Sequence, residues 1–200
     1  MYPEEEVVGE THLHLLIRLG LFTLVRRLLD ERGERAFVGS DQFLYWVPGN
    51  PQRCVSPDLY VFPGVDPATP ARSWKLWEHD GPPSLVLEVV SDDVDKDYVA
   101  GPMRYAEIGV EELVIYDPEP ERGRDRVRWQ VYRRRDGELV LEEEGGGDRV
   151  RSEALGCWLR VIPDDAGRPL LRIGLGAAGD ELFPTAEEEL EALKRKLGRV

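Results

Sequence analysis

Two carboxylates stand apart from the chain's other acids because of the residues around them. Glu88 lies inside Leu85-Val86-Leu87-Glu88-Val89-Val90, an apolar run that leaves an acid little water to face. A buried carboxylate without a partner is costly, so Glu88 calls for a metal, an arginine or a lysine beside it. Asp58 follows Pro57 and opens Leu59-Tyr60-Val61-Phe62, about where a strand end would reach the same cleft. Two acids converging at a strand end form a ligand set for Mg²⁺, a hard cation that takes oxygen donors and keeps several waters. Such a metal can polarise a phosphodiester and deliver hydroxide in line with the leaving oxygen. A purely structural reading stands beside this one: Asp58 caps a turn and Glu88 pairs with an arginine.

The elements that must position these acids follow from apolar spacing. Leu13, Leu16, Ile17, Leu21, Leu24, Val25, Leu28 and Leu29 recur at helical intervals. They predict a buried helix over 11–32, with Thr11 as its N-cap and Gly33 as its stop. Two strand segments are expected within 35–47, closed by Pro48-Gly49-Asn50-Pro51, and a third over 59–62, closed by Pro63-Gly64. A proline-rich loop with Trp74 and Trp77 then leads to the most apolar strand, 84–90, which should be central and buried on both faces. A helix over 102–108, ended by Gly109, and a strand over 112–116 complete a βαβ-like unit. Alternation around Val127, Trp129 and Val131 predicts a half-buried strand, turned by Asp136-Gly137 into 139–141. Short strands follow around 158–162 and 170–173. The tail from Thr185, acidic early and basic late, suits a helix dipole.

Composition limits what such a fold can do. The 200 residues carry 26 Lys and Arg against 39 Asp and Glu, a net charge of −13. A protein held to nucleic acid by bulk electrostatics should be basic. Contact with DNA therefore needs a local patch or a metal held by carboxylates. Arg133-Arg134-Arg135 is one of the few basic spots, although a solvated hairpin end is the commoner role for such a cluster. No apolar run approaches the roughly 18 residues of a membrane span, and the acidic start Met1-Tyr2-Pro3-Glu4-Glu5-Glu6 argues against a signal peptide. A cytoplasmic protein with reduced Cys54 and Cys157, and no membrane partner, is expected. His12 and His14 are two residues apart and point to different helix faces, so a shared metal is not expected. Trp74 and Trp77 read as packing anchors for their loop. No nucleophilic triad order and no phosphate-cradling glycine loop is present.

Several segments together resemble a known family. These are Ser40-Asp41-Gln42-Phe43, Ser56-Pro57-Asp58-Leu59, Trp74-Lys75-Leu76-Trp77-Glu78, Pro83 through Ser91, Tyr105-Ala106, Gly109-Val110-Glu111-Glu112, Asp117-Pro118 and Leu155-Gly156-Cys157-Trp158-Leu159. In order and spacing they resemble the Uma-two-type, restriction-endonuclease-like proteins of the PD-(D/E)xK nuclease superfamily. The resemblance implies an α/β (α+β) fold: a mixed central sheet flanked by helices, with added β hairpins and a C-terminal helix. The domain should span 1–183, with 184–200 as a helical tail. It also implies Mg²⁺ (or Mn²⁺) on Asp58 and Glu88, with phosphodiester hydrolysis as the reaction. DNA met through a local patch is the expected partner, and a homodimer is a candidate assembly.

The superfamily's lysine, two residues after the glutamate, is Val90 here. In the branch that moves this lysine onto the following helix, four residues before the tyrosine, the matching position is Gly101. Asp97 does fall where that branch has its aspartate. Lys96, or Arg104 just before Tyr105, is the candidate to stand in for the lysine. The flanking acids Asp92, Asp93 and Asp95 would repel phosphate unless a metal neutralises them. The alternative expectation is an inactive nuclease-fold protein that binds nucleic acid or another protein.

Overall fold

The structure, a computed structural model, describes residues 11–79, 81–91 and 96–198, with Lys96 by its backbone alone. Helix α1 (His12–Glu31) begins where Thr11 accepts a hydrogen bond from the His14 amide, and its apolar stripe from Ile17 to Leu29 is buried. Thirteen strands follow: β1 (Ala36–Gly39), β2 (Leu44–Tyr45), β3 (Cys54–Val55), β4 (Leu59–Pro63), β5 (Trp74–Lys75), β6 (Leu85–Val89), β7 (Glu112–Tyr116), β8 (Trp129–Arg135), β9 (Glu138–Gly145), β10 (Arg149–Ser152), β11 (Cys157–Pro163), β12 (Pro169–Leu175) and β13 (Glu181–Leu182). Helices α2 (Gly101–Ile108) and α3 (Ala186–Leu197) complete the described chain.

The main sheet has the order β1-β4-β6-β7-β8-β9. It is mixed: β6 and β7 run parallel, and every other neighbouring pair is antiparallel. The parallel pair requires a crossover, which α2 provides. Gly109 closes α2 in the left-handed region at φ 92°, a conformation open to glycine because it lacks a Cβ. Side chains alternate across this sheet. Leu59, Val61, Leu85, Leu87 and Val89 pack under α1, while Tyr60, Phe62, Val86 and Val90 pack under α2 with Tyr105 and Ile108. The α1-side core continues into a second sheet, β10-β11-β12-β13, through Val150, Leu159, Leu171 and Ile173. A small sheet, β3-β2-β5, covers the α2 side.

This is the expected α/β architecture with a C-terminal helix, and three local expectations change. The crossover helix is entered through a π-helical turn over Lys96–Ala100, because Asp97 and Tyr98 are both tied down (below). Trp74 is fully buried, but Trp77 is 44% exposed and anchors nothing in the core. The Arg133-Arg134-Arg135 cluster is spent internally. Arg133 pairs with Glu112 at 3.0 Å and Glu142 at 2.9 Å, Arg134 donates to the Val110 and Ala106 carbonyls, and Arg135 pairs with Glu142 and Glu153. No helix among the described residues is long and apolar enough to cross a membrane.

Candidate active site

Strand register brings the two acids together. In the antiparallel β4–β6 pair Leu59 lies opposite Leu87 and Tyr60 opposite Val86, so the next position sets Asp58 opposite Glu88. The Asp58 amide donates to Glu88 Oε2 at 3.2 Å, and the Val89 amide donates to Asp58 Oδ2 at 2.8 Å. Each acid is thus held by the other's stretch of backbone at one end of the strand pair. Asp58 immediately precedes β4 and sits at the edge of the core rather than inside it.

Two further side chains hold the pair from opposite faces of the sheet. From α1, His14 Nε2 lies 2.7 Å from Asp58 Oδ1. From α2, the Tyr105 hydroxyl donates to Glu88 Oε1. Burial raises the Glu88 pKa well above the ordinary carboxylate range, and the nearby Asp58 charge raises it further. Tyr105 is pushed up in turn, by burial first and then by the Glu88 charge. These shifts describe two acids crowded together at a point where a positive charge would relieve both.

Asp97 joins the same site. It is 5% exposed, and its Oδ2 accepts from the Ser91 amide at 2.7 Å and the Ser91 hydroxyl at 2.8 Å, which pins the π-helical turn to the end of β6. Next to it, Tyr98 donates to Asp117 Oδ2 at 2.9 Å, and Asp117 is gripped by Arg126 at 2.6 and 2.7 Å. A cavity of about 50 Å³ opens beside these groups, with Glu88, Asp97, Gly101, Arg104 and Tyr105 among its walls. It is large enough for a water or an ion and too small for a nucleotide.

Four of the expected positions therefore converge: Asp58, Glu88, Asp97 and the lysine-equivalent Gly101. The Lys96 side chain lies outside the described residues, as do Asp92, Asp93 and Asp95. Among the described residues, Arg104 is the basic residue that lines the cavity. His14 is not expected at this site from the sequence, since its two-residue spacing from His12 argues only against a metal shared between them. The usable signal was its phase: His14 lies three and seven residues before Ile17 and Leu21, on the α1 face that packs on β4 and β6.

The donor set can be tested against a hard divalent cation. Both acids offer oxygen, and each carboxylate oxygen that accepts one hydrogen bond retains a second lone pair. Among the described residues no three His, Cys, Asp or Glu side chains form a ready cage. Mg²⁺ does not require one, since it is commonly held by one or two carboxylates, with waters and substrate phosphate completing its shell. Asp58 turns one oxygen to His14 and the other to the Val89 amide, so its remaining lone pairs are what it would offer to a cation shared with Glu88.

Among solved structures, a crystal structure titled as "a putative nuclease belonging to DUF820" from Anabaena variabilis has a similar fold. The TM-score is 0.52 at 14% sequence identity, over 74% of this chain and 75% of that one. No curated protein matches the chain. A family model matches residues 4–162, which include α1, the paired acids, the crossover helix and the main sheet. The chain belongs to that family, Uma2, described as "Putative restriction endonuclease".

Proposed function

We propose that this protein is a divalent-metal-dependent endonuclease that hydrolyses DNA phosphodiester bonds, with Asp58 and Glu88 as the metal-holding pair. The observation that carries the proposal is the cross-strand apposition of Asp58 and Glu88, with Asp97 beside the same cavity. A structural role would supply Glu88 with an arginine. Its partners here are the Tyr105 hydroxyl and the Asp58 amide, and a second acid raises its pKa. When bound, Mg²⁺ or Mn²⁺ supplies positive charge for the phosphate and lowers the pKa of a water. The chain's own groups then have distinct tasks. Asp58 and Glu88 fix the position of that charge, Tyr105 and His14 hold their carboxylates, and Arg104 meets a phosphate oxygen. In the reaction a water gives up a proton to solvent as its oxygen adds to phosphorus in line, the ester P–O bond opposite breaks, and the leaving oxygen takes up a proton from solvent.

A second reading is favoured by Gly101. This position lines the cavity and brings no ammonium to it, so an inactive, nucleic-acid- or protein-binding relative is the competing function. Plasmid nicking with Mn²⁺ separates the two. The nuclease reading expects slow nicking that Glu88→Ala abolishes. No cleavage of duplex or single-stranded DNA over long incubation selects the binding protein.

A further inference from the structure

Helix α3 buries none of its residues. Leu190, Leu193 and Leu197 are 53%, 56% and 72% exposed, and with Ala186 they fall three or four residues apart on one face. A 12-residue helix is about 18 Å long and marginal by itself in water, so an apolar face left uncovered is a liability. Among the described residues, the contacts that hold α3 to the body lie near its start. Thr185 and Glu188 form a capping box, Glu188 pairs with Arg172 at 2.7 Å, and Glu189 pairs with Arg27 at 2.8 Å.

The charges beside the leucines are self-complementary. Written as a heptad, Ala186 and Leu193 are d positions and Leu190 and Leu197 are a positions. Glu187 and Lys194 then both take e, while Glu189 and Lys196 both take g. Two such helices lying antiparallel about a two-fold axis set Leu190 against Leu193 and Ala186 against Leu197. Their flanks then bring e to e and g to g. Glu187 meets Lys194 of the partner subunit, and Glu189, while still held by Arg27 through one oxygen, faces Lys196 of the partner subunit with the other. A parallel pair would instead lay acidic first turn beside acidic first turn and basic last turn beside basic last turn. The helix dipoles also favour the antiparallel arrangement.

We propose that α3 is a dimerisation helix that pairs antiparallel with α3 of a second copy of this chain. Two helices of this length cover less than the about 1,200 Å² of a standard interface, so the dimer is reversible and concentration-dependent. The pairing is independent of the chemistry in the cleft.

Sedimentation equilibrium on the full chain tests it. The mass should rise from one chain towards two with concentration, and Leu190→Ser combined with Leu193→Ser should hold it at one. Glu187→Lys alone and Lys194→Glu alone should each be monomeric, since each sets like charges opposite one another. Mixed in equal amounts, these two variants should dimerise, because every e-to-e contact is then between opposite charges. A wild-type chain that stays monomeric throughout overturns the proposal. So does a dimer indifferent to the leucine changes, or a mixture no heavier than its components.

Discussion

At the scale of single residues, the site turns on a carboxyl group whose burial favours its neutral, protonated form. Glu88 is raised by burial and then by Asp58. Between its unfolded and folded pKa the native state keeps a proton that the unfolded chain has released, so metal-free stability falls as pH rises through that window. Glu88→Gln removes this titration. In chelator at neutral pH the variant should melt higher than the wild type, each kcal/mol being worth about 2–4 °C at this chain length. The gap should narrow as the pH is lowered towards the ordinary carboxylate pKa of about 4. Calorimetric melts across that range check it, and equal melting temperatures at every pH would count against the assignment. The cysteines give a second residue-scale expectation. Cys157 is buried, and burial pushes its thiol up to about 12, whereas Cys54 is half-buried. A native thiol reagent at mild pH should label Cys54 and spare Cys157 until the chain is denatured, as mass spectrometry would read. Asp58 and Glu88 were legible in the sequence because an acid within or beside an apolar strand needs a reason. For His14 the helical phase gives the packed face of α1 but not its partner, which lies across an interface that no local pattern encodes.

At the scale of elements, α1, β4, β6, β7 and α2 were legible because each has one strong period and a clear terminator. The π-helical turn before α2 was not. It is set by Asp97 binding back to Ser91 and by Tyr98 reaching Asp117, contacts that depend on where β6 and β7 end. Asp117 is fully buried with Arg126 beside it. Asp117→Ala strands that guanidinium and should cost about 3–5 kcal/mol in denaturant unfolding. Tyr98→Phe removes one hydroxyl and should cost about 1–3 kcal/mol. It should also loosen the turn that presents Asp97, lowering any nicking rate while the fold persists. Gly101 opens α2 at the cavity wall. Gly101→Lys should bring an ammonium there and raise Mn²⁺-dependent nicking. A rate unchanged by this substitution would mean that Arg104 already fills the role or that lysine is not limiting.

At the scale of the whole molecule, one apolar core joins α1, the main sheet and the β10–β13 sheet, and a polar knot fastens the seam. Buried Glu112 accepts from Arg133 at 3.0 Å and the Glu153 amide at 2.8 Å, and buried Ser152 hydrogen-bonds to it as well. The alternating strands announced a β-rich second half, but the pairing of that half with the main sheet through Glu112 lay beyond local pattern. The net charge of −13 also makes the molecule repel a polyanion as a whole. Under the proposed function, approach to DNA would therefore require the acids at the end of β4 and β6 to be neutralised by a bound cation. The most direct test is a calorimetric titration of the purified chain with Mn²⁺, set beside the same titration of Asp58→Asn combined with Glu88→Gln. If Asp58 and Glu88 hold the cation, the wild type shows saturable heat at one site per chain and the double variant shows none. Heat that survives in the double variant, or a wild type that takes up no Mn²⁺, would contradict that assignment.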